Sequence, residues 1–286
     1  MLTSPVSAST ARPSPRGDGS TAHVFAGSSR PPYGGEVPPD DVPAGFGSDS
    51  WDRAVAGGLE RIRGRIAGAG GDPAQVTIVA VTKGFGPDAP RAALRGGLSQ
   101  IGENYAVELL DKAAEIAGDG GAVPCWHFLG RVQRNKIPRL APVVGCWQSV
   151  SRAEEAVAIA RRSPRPEIFV EVDVSAIPGR PGCEPAEAPA VVEAAVAAGC
   201  LVRGLMSVAP LAQQGDAAGQ ARAARAAFTT VARLAADLGL KELSMGMSAD
   251  LEVAVEAGST MVRVGTALFG ERPANDPHAR RHGLQR

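Results

Sequence analysis

The segment KELSMGMSADLEVAVEAGSTMVRVGTALFG (241–270) predicts two strand–helix units in succession. KELSMG (241–246) and TMVRVG (260–265) are short runs that suit buried strands. A helical pattern over 248–257, ended by a glycine, follows the first run, and a helical turn begins in TALFG (266–270) after the second. Alternating strands and helices indicate a parallel sheet with right-handed crossovers.

The same alternation continues upstream of this segment. We predict strands over 76–81, 99–104, 126–130, 143–150, 167–174 and 201–208. We predict helices over 51–69, 89–98, 106–116, 151–161, 186–198 and 220–238, and a short one ending near residue 140. Ser151 and Glu154 form a capping-box pattern at one helix start. Eight units without a central break favour an α/β fold of the (β/α)₈ barrel class, preceded by an extra helix, over an open sheet. No GxGxxG motif follows the first strand, which argues against a dinucleotide fold.

The chain divides by composition into a barrel and two tails. Residues 1–50 contain 24 Pro, Gly and Ser residues and no lysine. Such a segment buries too little apolar surface to offset its ordering entropy, so we predict a disordered tail. We predict that residues 51–272 form the barrel and that residues 273–286 form a flexible C-terminal tail. The barrel segment is close to the roughly 250 residues typical of this fold.

The charge balance and the cysteines argue against several classes of function. The 30 Lys+Arg and 30 Asp+Glu residues give no net charge, which argues against binding to nucleic acid or to an anionic membrane. No apolar run is long enough for a transmembrane helix. The four cysteines lack CxxC spacing, so we expect no metal site and small buried thiols in a reducing cytoplasm.

Lys83 is the strongest candidate for a reactive side chain. The chain has four lysines, and Lys83 ends the most apolar strand, in VAVTKGFG (79–86). The active site of a (β/α)₈ barrel lies at the C-terminal ends of its strands. Apolar walls there would lower the pKa of the amine and make it a competent Schiff-base nucleophile. The alternative is a lysine that extends to solvent.

Two loops predict a phosphate cradle. Barrels of this class often bind phosphate with the loops after strands 7 and 8. Ser244, Met245 and Gly246 follow strand 7, and Gly265 and Thr266 follow strand 8. Small residues let backbone N–H groups approach an anion, and the two hydroxyls could donate as well. For Ser248, in the same region, we favour a plain helix N-cap.

Arg263 interrupts the apolar strand TMVRVG (260–265). It either points outward to a helix carboxylate or lines the barrel and faces a ligand, since an unpaired buried charge is costly. A lysine that traps an aldehyde, a phosphate cradle and a barrel-lining arginine together describe a site for pyridoxal 5′-phosphate (PLP). The arginine would face the pyridine nitrogen. For His127 we favour a core residue over a catalyst, and Asn104 and Tyr105 could contact a cofactor edge or simply form a turn.

Several motifs resemble one family. They are VAVTKGF (79–85), IGENYAVELLDK (101–112), WHFLGRVQRNK (126–136), RGLMSV (203–208) and the segment from 243 to 270. Together they resemble the pyridoxal-phosphate homeostasis proteins, single-domain relatives of the alanine racemase barrel. The resemblance covers roughly 51–272.

The resemblance implies a role for each matching residue. Lys83 matches the lysine that forms the Schiff base, and Asn104 matches an asparagine near the cofactor. Arg263 matches the arginine that faces the pyridine nitrogen. Phosphate-binding positions match Ser244, Gly265 and Thr266, with Met245 and Gly246 in the same loop.

The resemblance also implies a function. The family holds PLP without an established catalytic activity and keeps it in balance. We therefore expect PLP as cofactor, PLP-dependent apoenzymes as recipients, and a cytoplasmic monomer. A small PLP-dependent enzyme, such as a racemase using His127 or Tyr105, and a PLP-free barrel enzyme acting on a phosphorylated metabolite are the alternatives. Two positions where relatives often carry lysine are Phe85 and Arg180 here, so we do not expect PLP transfer through them.

Overall fold

Eight parallel strands close into a barrel in the order in which they occur in the chain. The structure is a computed structural model, and it describes residues 48–175, 177, 179–210 and 217–271. The closed ring confirms the predicted (β/α)₈ fold. The ring closes where β1 pairs with β8, with Val79 beside Arg263 and Ala80 beside Val264.

The observed strands are shorter than the predicted runs. They are β1 Thr77–Val81, β2 Gln100–Glu103, β3 Cys125–Phe128, β4 Val144–Val150, β5 Glu167–Glu171, β6 Leu201–Met206, β7 Glu242–Ser244 and β8 Met261–Val264. The described helices are α1 Ser48–Gly68, α2 Asp88–Arg95, α3 Ala106–Gly118, α4 Ile137–Leu140, α5 Ala153–Ala160, α6 Ala188–Ala197, α7 Ala217–Asp237, α8 Leu251–Glu256 and α9 Thr266–Phe269. Helix α1 is the predicted extra helix.

The barrel has an interior core and an outer core. The interior is packed by a small cluster made of Val79, Cys146, Phe169, Met206 and Met261. The other faces of the strands pack against the helices in two larger clusters. The strands are therefore buried on both faces, which explains their continuous apolar runs. The four cysteines are free; Cys125 is half-buried, and the other three are buried.

Helix α1 packs against the elements that carry the candidate site. The Trp51 ring lies 5.8 Å from Phe85 and 6.1 Å from Phe269, and the last two rings are 5.5 Å apart. Phe85 follows β1 and Phe269 ends α9. A Cβ on Gly58 would lie 2.5 Å from the carbonyl oxygen of Leu268, so the backbones of α1 and α9 are in direct contact.

Two helix starts differ from their predictions. The N-cap of α5 is Arg152, and the residue that bonds back to the backbone N–H of Ser151 is Glu155, not Glu154. The helix begins later than the sequence pattern indicated, so the predicted capping box is wrong. The N-cap of α8 is Asp250. Ser248 instead accepts a hydrogen bond from the backbone N–H of Ala267, at 3.1 Å, so its predicted N-cap role is also wrong.

The predicted tails, residues 1–50 and 273–286, lie almost entirely outside the described residues. Within the described part of the chain, no helix is long and apolar enough to cross a membrane. Helix α1 begins at Ser48, and Ser50 and Trp51 are buried. The predicted boundary at residue 51 therefore falls inside α1.

A chain that begins at Ser48 is expected to keep its full thermal stability and the PLP binding that the sequence leads us to expect. The composition of residues 1–47 predicts that they do not form a packed core. A chain that begins at Ala54 loses Trp51 and its two ring contacts. That loss should cost about 3 kcal/mol and lower the melting temperature by roughly 10 °C. Calorimetry on both chains checks this, and a large drop for the Ser48 chain would contradict it.

Candidate functional site

Adjacent strands bring the main candidates to one side of the barrel mouth. Lys83 lies two residues beyond the end of β1, and Gly265 follows β8 directly. A Cβ on Gly265 would lie 3.1 Å from the carbonyl oxygen of Val81. The loop after β8 therefore touches the end of the strand that carries Lys83. This matches the C-terminal location of active sites in such barrels.

Lys83 is half-buried, and the other lysines are differently placed. Lys136 and Lys241 are exposed, and Lys241 lies before β7, at the opposite end of the barrel. Lys112 is fully buried, and its three N–H donors are all used. They bond to the carbonyl oxygen of Thr82 at 2.7 Å, to Glu103 at 2.6 Å and to Glu108 at 2.7 Å.

The guanidinium of Arg263 lies inside the barrel. Nη1 donates to the hydroxyl of Ser244 at 2.7 Å and to the carbonyl oxygen of the same residue, and Nη2 donates to the carbonyl oxygen of Ser207 at 2.9 Å. The residue is 5% exposed, so the outward alternative is wrong. Burial lowers the pKa of Arg263 to about 10, against the effect of Glu171, and the side chain stays charged at neutral pH.

A chain of hydrogen bonds runs through the barrel behind Arg263. Ser244 donates to Gln148 Oε1 at 2.6 Å. Gln148 Nε2 donates to Nδ1 of His127 at 2.6 Å, so His127 carries its proton on Nε2 and donates it to Gln100 Oε1 at 2.7 Å. Burial lowers the pKa of His127 to about 3, so the ring is neutral. The prediction that His127 is a core residue with satisfied hydrogen bonds is confirmed.

A hydrogen bond of Ser248 joins the two predicted phosphate loops, the one after β7 and the one after β8. Its hydroxyl binds the N–H of Ala267, in the first turn of α9, next to Gly265 and the exposed Thr266. Arg65 of α1 donates to the carbonyl oxygen of Ser248 at 2.9 Å and holds this loop from outside. Sequence reasoning missed this link, because a serine ahead of an apolar helical run is the usual signal of an N-cap.

The loop after β7 offers fewer free groups for phosphate binding than its sequence predicted. Ser244 is fully buried, and its one proton is already donated to Gln148. The side chain of Met245 packs in the outer core with α7 and α8, and its N–H bonds to Met261. Gly246 has φ +90°, and its carbonyl oxygen accepts from the N–H of Arg263. These three phosphate assignments stay predictions.

Asn104 lies at the end of β2, half-buried, next to the loop after β3. A Cβ on Gly130 would lie 1.9 Å from the carbonyl oxygen of Asn104, so only glycine fits there. Tyr105 is 48% exposed. Of the two positions where relatives often carry lysine, Phe85 is buried in the aromatic cluster with Trp51, and Arg180 donates to the carbonyl oxygen of Ala209 at 3.5 Å.

Glu171 is a buried carboxylate that sequence reasoning missed. It ends β5 two residues after Phe169, which packs inside the barrel, and the period-2 alternation of strands would have placed it inside as well. Burial raises the pKa of Glu171 to about 7, against the attraction of Arg263. Burial likewise raises the pKa of Glu103 to about 7, although Lys112 favours its charged form.

Comparison with known proteins agrees with this geometry. Residues 60–273 match the model of the alanine racemase N-terminal domain. The chain is 39% identical to the pyridoxal phosphate homeostasis protein of Pseudomonas aeruginosa, over 76% of this chain and 94% of that protein. It is 40% identical to the protein of the same name in Deinococcus radiodurans, over 74% of this chain and 97% of that one. The chain belongs to the pyridoxal phosphate homeostasis protein family.

Solved structures place this homeostasis-protein chain in the same fold. PipY of Synechococcus elongatus, solved with PLP bound, is 34% identical, with a TM-score of 0.60 over 73% of this chain and all of that one. Alanine racemase from E. faecalis is 20% identical, with a TM-score of 0.58 over 78% of this chain and 59% of that one. The racemase likeness concerns the barrel fold alone.

Proposed function

We propose that this protein holds PLP at the mouth of the barrel, attached to Lys83 as a Schiff base, and keeps the cofactor available in the cytoplasm without catalytic turnover. The observation that supports this most is the arrangement at β1 and β8. A half-buried lysine follows β1, and the neighbouring strand β8 carries a buried arginine and leads into Gly265, which lies against the end of β1. The relatives named pyridoxal phosphate homeostasis protein, and PipY with PLP bound, support the same conclusion.

The residues at this mouth fit the cofactor. PLP supplies an aldehyde, with which a neutral lysine amine condenses while one water leaves. Gly265 lets the chain pass close to the end of β1, and Thr266 is exposed and can donate to an anion. The charged Arg263, fixed by Ser244 and Ser207, disfavours a proton on a pyridine nitrogen that faces it. That weakens the cofactor as an electron sink.

The environment of the remaining polar groups supports a role without turnover. Both ring nitrogens of His127 are hydrogen-bonded inside the barrel, and its low pKa keeps it neutral, so it is a poor acid or base for a substrate. Tyr105, the other candidate of the racemase alternative, is exposed at the start of α3. We propose PLP-dependent apoenzymes as recipients and a monomer as the carrier.

Borohydride reduction followed by peptide mapping tests the function directly. The purified protein should absorb visible light as a lysine adduct of PLP, and reduction should place the pyridoxyl group on the Lys83 peptide. Lys83→Ala should lose the adduct, and Lys136→Ala, which removes an exposed lysine, should keep it. An adduct mainly on Lys112, Lys136 or Lys241, or no adduct at all, would overturn the proposal. Sustained turnover of an amino acid would favour the enzyme alternative.

Thr266→Val is expected to weaken PLP retention about tenfold, which corresponds to a loss near 1.4 kcal/mol. The substitution removes one hydroxyl donor and keeps the shape of the side chain. The off-rate during dialysis measures the effect. A matched Thr230→Val variant, on an exposed turn of α7 where the hydroxyl bonds only to its own helix, should retain PLP as wild type does. Equal off-rates for the two variants would remove Thr266 from the phosphate site.

A further inference from the structure

Three ionisable side chains that contact the backbone next to Lys83 play no part in the function proposed above. Lys112 and Glu108 lie one turn apart on α3, Glu103 ends β2, and all three are fully buried. Lys112 is within 2.6 Å of Glu103 and 2.7 Å of Glu108. We call these three residues the buried triad. The side chains of all three residues are inaccessible to solvent.

The buried triad bonds to the backbone on both sides of Lys83. Lys112 donates to the carbonyl oxygen of Thr82 at 2.7 Å. The N–H of Gly84 donates to Glu108 at 2.6 Å. These two groups belong to the two peptide units that meet at the Cα of Lys83. The hydroxyl of Thr82 also donates to Glu103 at 2.6 Å.

The chain turns sharply at this point. Gly84 has φ +74°, and the N–H of Phe85 bonds to the carbonyl oxygen of Thr82 at 3.1 Å. The bonds to the buried triad hold the peptide units on both sides of Lys83, and with them the direction in which the side chain of Lys83 leaves the backbone.

Stability alone does not explain the buried triad. Burying ions is costly, and apolar residues of similar volume often give an equally stable core. One oxygen of Glu103 and one of Glu108 have no hydrogen-bond partner, which adds to the cost. The oxygens that are partnered bond only to Lys112 and to the backbone or hydroxyl groups of residues 82–84. Their common effect is to orient the segment that carries Lys83.

We propose that the buried triad is a positioning device for Lys83, and that it sets the rate at which this lysine attaches to an aldehyde cofactor. The inference rests on the proposed function. Covalent attachment requires the Nζ of Lys83 to meet the aldehyde carbon at bonding geometry, with water as the leaving group. A misplacement of about 1 Å can slow such a step by about a hundredfold.

A matched pair of variants at Glu108 tests the proposal. Glu108→Gln keeps an oxygen that can accept from the N–H of Gly84, whereas Glu108→Ala removes it. The first readout is the amide exchange rate of Gly84 in the protein freed of PLP. The second is the rate of adduct formation at Lys83 with added PLP. Glu108→Ala should accelerate exchange and slow attachment about tenfold or more, while Glu108→Gln should stay within about threefold of wild type.

A stability-matched control separates positioning from general loosening. Val231→Ala removes buried apolar contacts on α7, in the outer core formed with β5, β6 and β7. It should lower the melting temperature and leave both the Gly84 exchange rate and the attachment rate unchanged. A folded Glu108→Ala variant that attaches PLP at the wild-type rate would overturn the proposal. The triad would then be a structural element only.

A second variant keeps the test decisive if Glu108→Ala does not fold. Thr82→Val removes only the hydroxyl bond to Glu103 and should slow attachment a few-fold, and an unchanged rate would overturn the proposal. Failure of the proposed function looks different. The wild-type protein would then form no adduct at Lys83, while the Gly84 amide would still exchange faster in Glu108→Ala than in Glu108→Gln.

Discussion

Replacing Gly130 by alanine is expected to lower the melting temperature by about 10 °C and to weaken PLP retention at least about tenfold. The added Cβ would lie 1.9 Å from the carbonyl oxygen of Asn104, far inside contact distance. The clash involves the backbone on both sides. The backbone there is also held in place, because the N–H of Leu129 donates to the backbone carbonyl oxygen of Glu103 at 2.7 Å. Relief therefore requires the strands to shift, at a cost of about 3 kcal/mol. Asn104, a predicted cofactor contact, moves with them.

Gly86→Ala is the matched control for this prediction. Gly86 lies in the loop after β1, close to Lys83, and a Cβ there meets nothing within 4 Å. The melting temperature and the PLP off-rate of Gly86→Ala should equal those of wild type. If Gly130→Ala unfolds at the wild-type temperature, the tight contact between the ends of β2 and β3 does not exist in solution.

The second large effect is a loss of stability at acidic pH that is caused by His127. Its pKa is about 3 in the folded protein and about 6.5 when unfolded. Between these values the unfolded chain binds the extra proton, so stability falls as the pH decreases from 6.5 towards 3. The slope approaches about 1.4 kcal/mol per pH unit, which gives about 3 kcal/mol between pH 7 and pH 4.

The contribution of His127 must be measured as a difference between two proteins. Glu103 and Glu171 have pKa values raised to about 7, so each stabilises the fold at low pH and loses that effect as the pH rises through 7. His127→Gln keeps a donor for Gln100 and an acceptor for Gln148, and it cannot titrate. Denaturant unfolding at pH 7 and pH 4 should show the stability difference between wild type and variant shift by about 3 kcal/mol. Equal pH dependence would show that His127 is not buried neutral.

Much of the fold was predictable because each strand is an apolar run bounded by turn residues. The strand order followed from the uninterrupted alternation of strands and helices. The start of α5 was not predictable from the pattern of serine and glutamate, since Ser151 is followed by two acidic residues and either could have bonded back to it. Only the backbone conformation at Arg152 decides that Glu155 does so.

The location of the candidate site at strand ends was predictable, as for Lys83, Asn104 and Arg263, whereas the roles of these residues towards a cofactor stay predictions. It was less predictable where a side chain reaches across the barrel. A glutamate and a lysine four residues apart on a helix usually lie on its surface, so Glu108 and Lys112 gave no signal of burial by themselves. The spacing of Leu109, Lys112 and Ile116 does place Lys112 on the apolar face of α3. The link between Ser248 and Ala267 depends on two loops far apart in sequence.

The contact between α1 and α9 has a consequence for synthesis on the ribosome. Strand β1 needs β8 as a neighbour, and Trp51 needs Phe269, so the first and last described elements complete each other. A nascent chain holds Lys83 early but gains the loop that should face it only when residues 265–269 emerge. Contacts of such large sequence separation form slowly. The barrel mouth is therefore complete only after residues 265–269 have been synthesised, and we expect no specific binding at the mouth before that point.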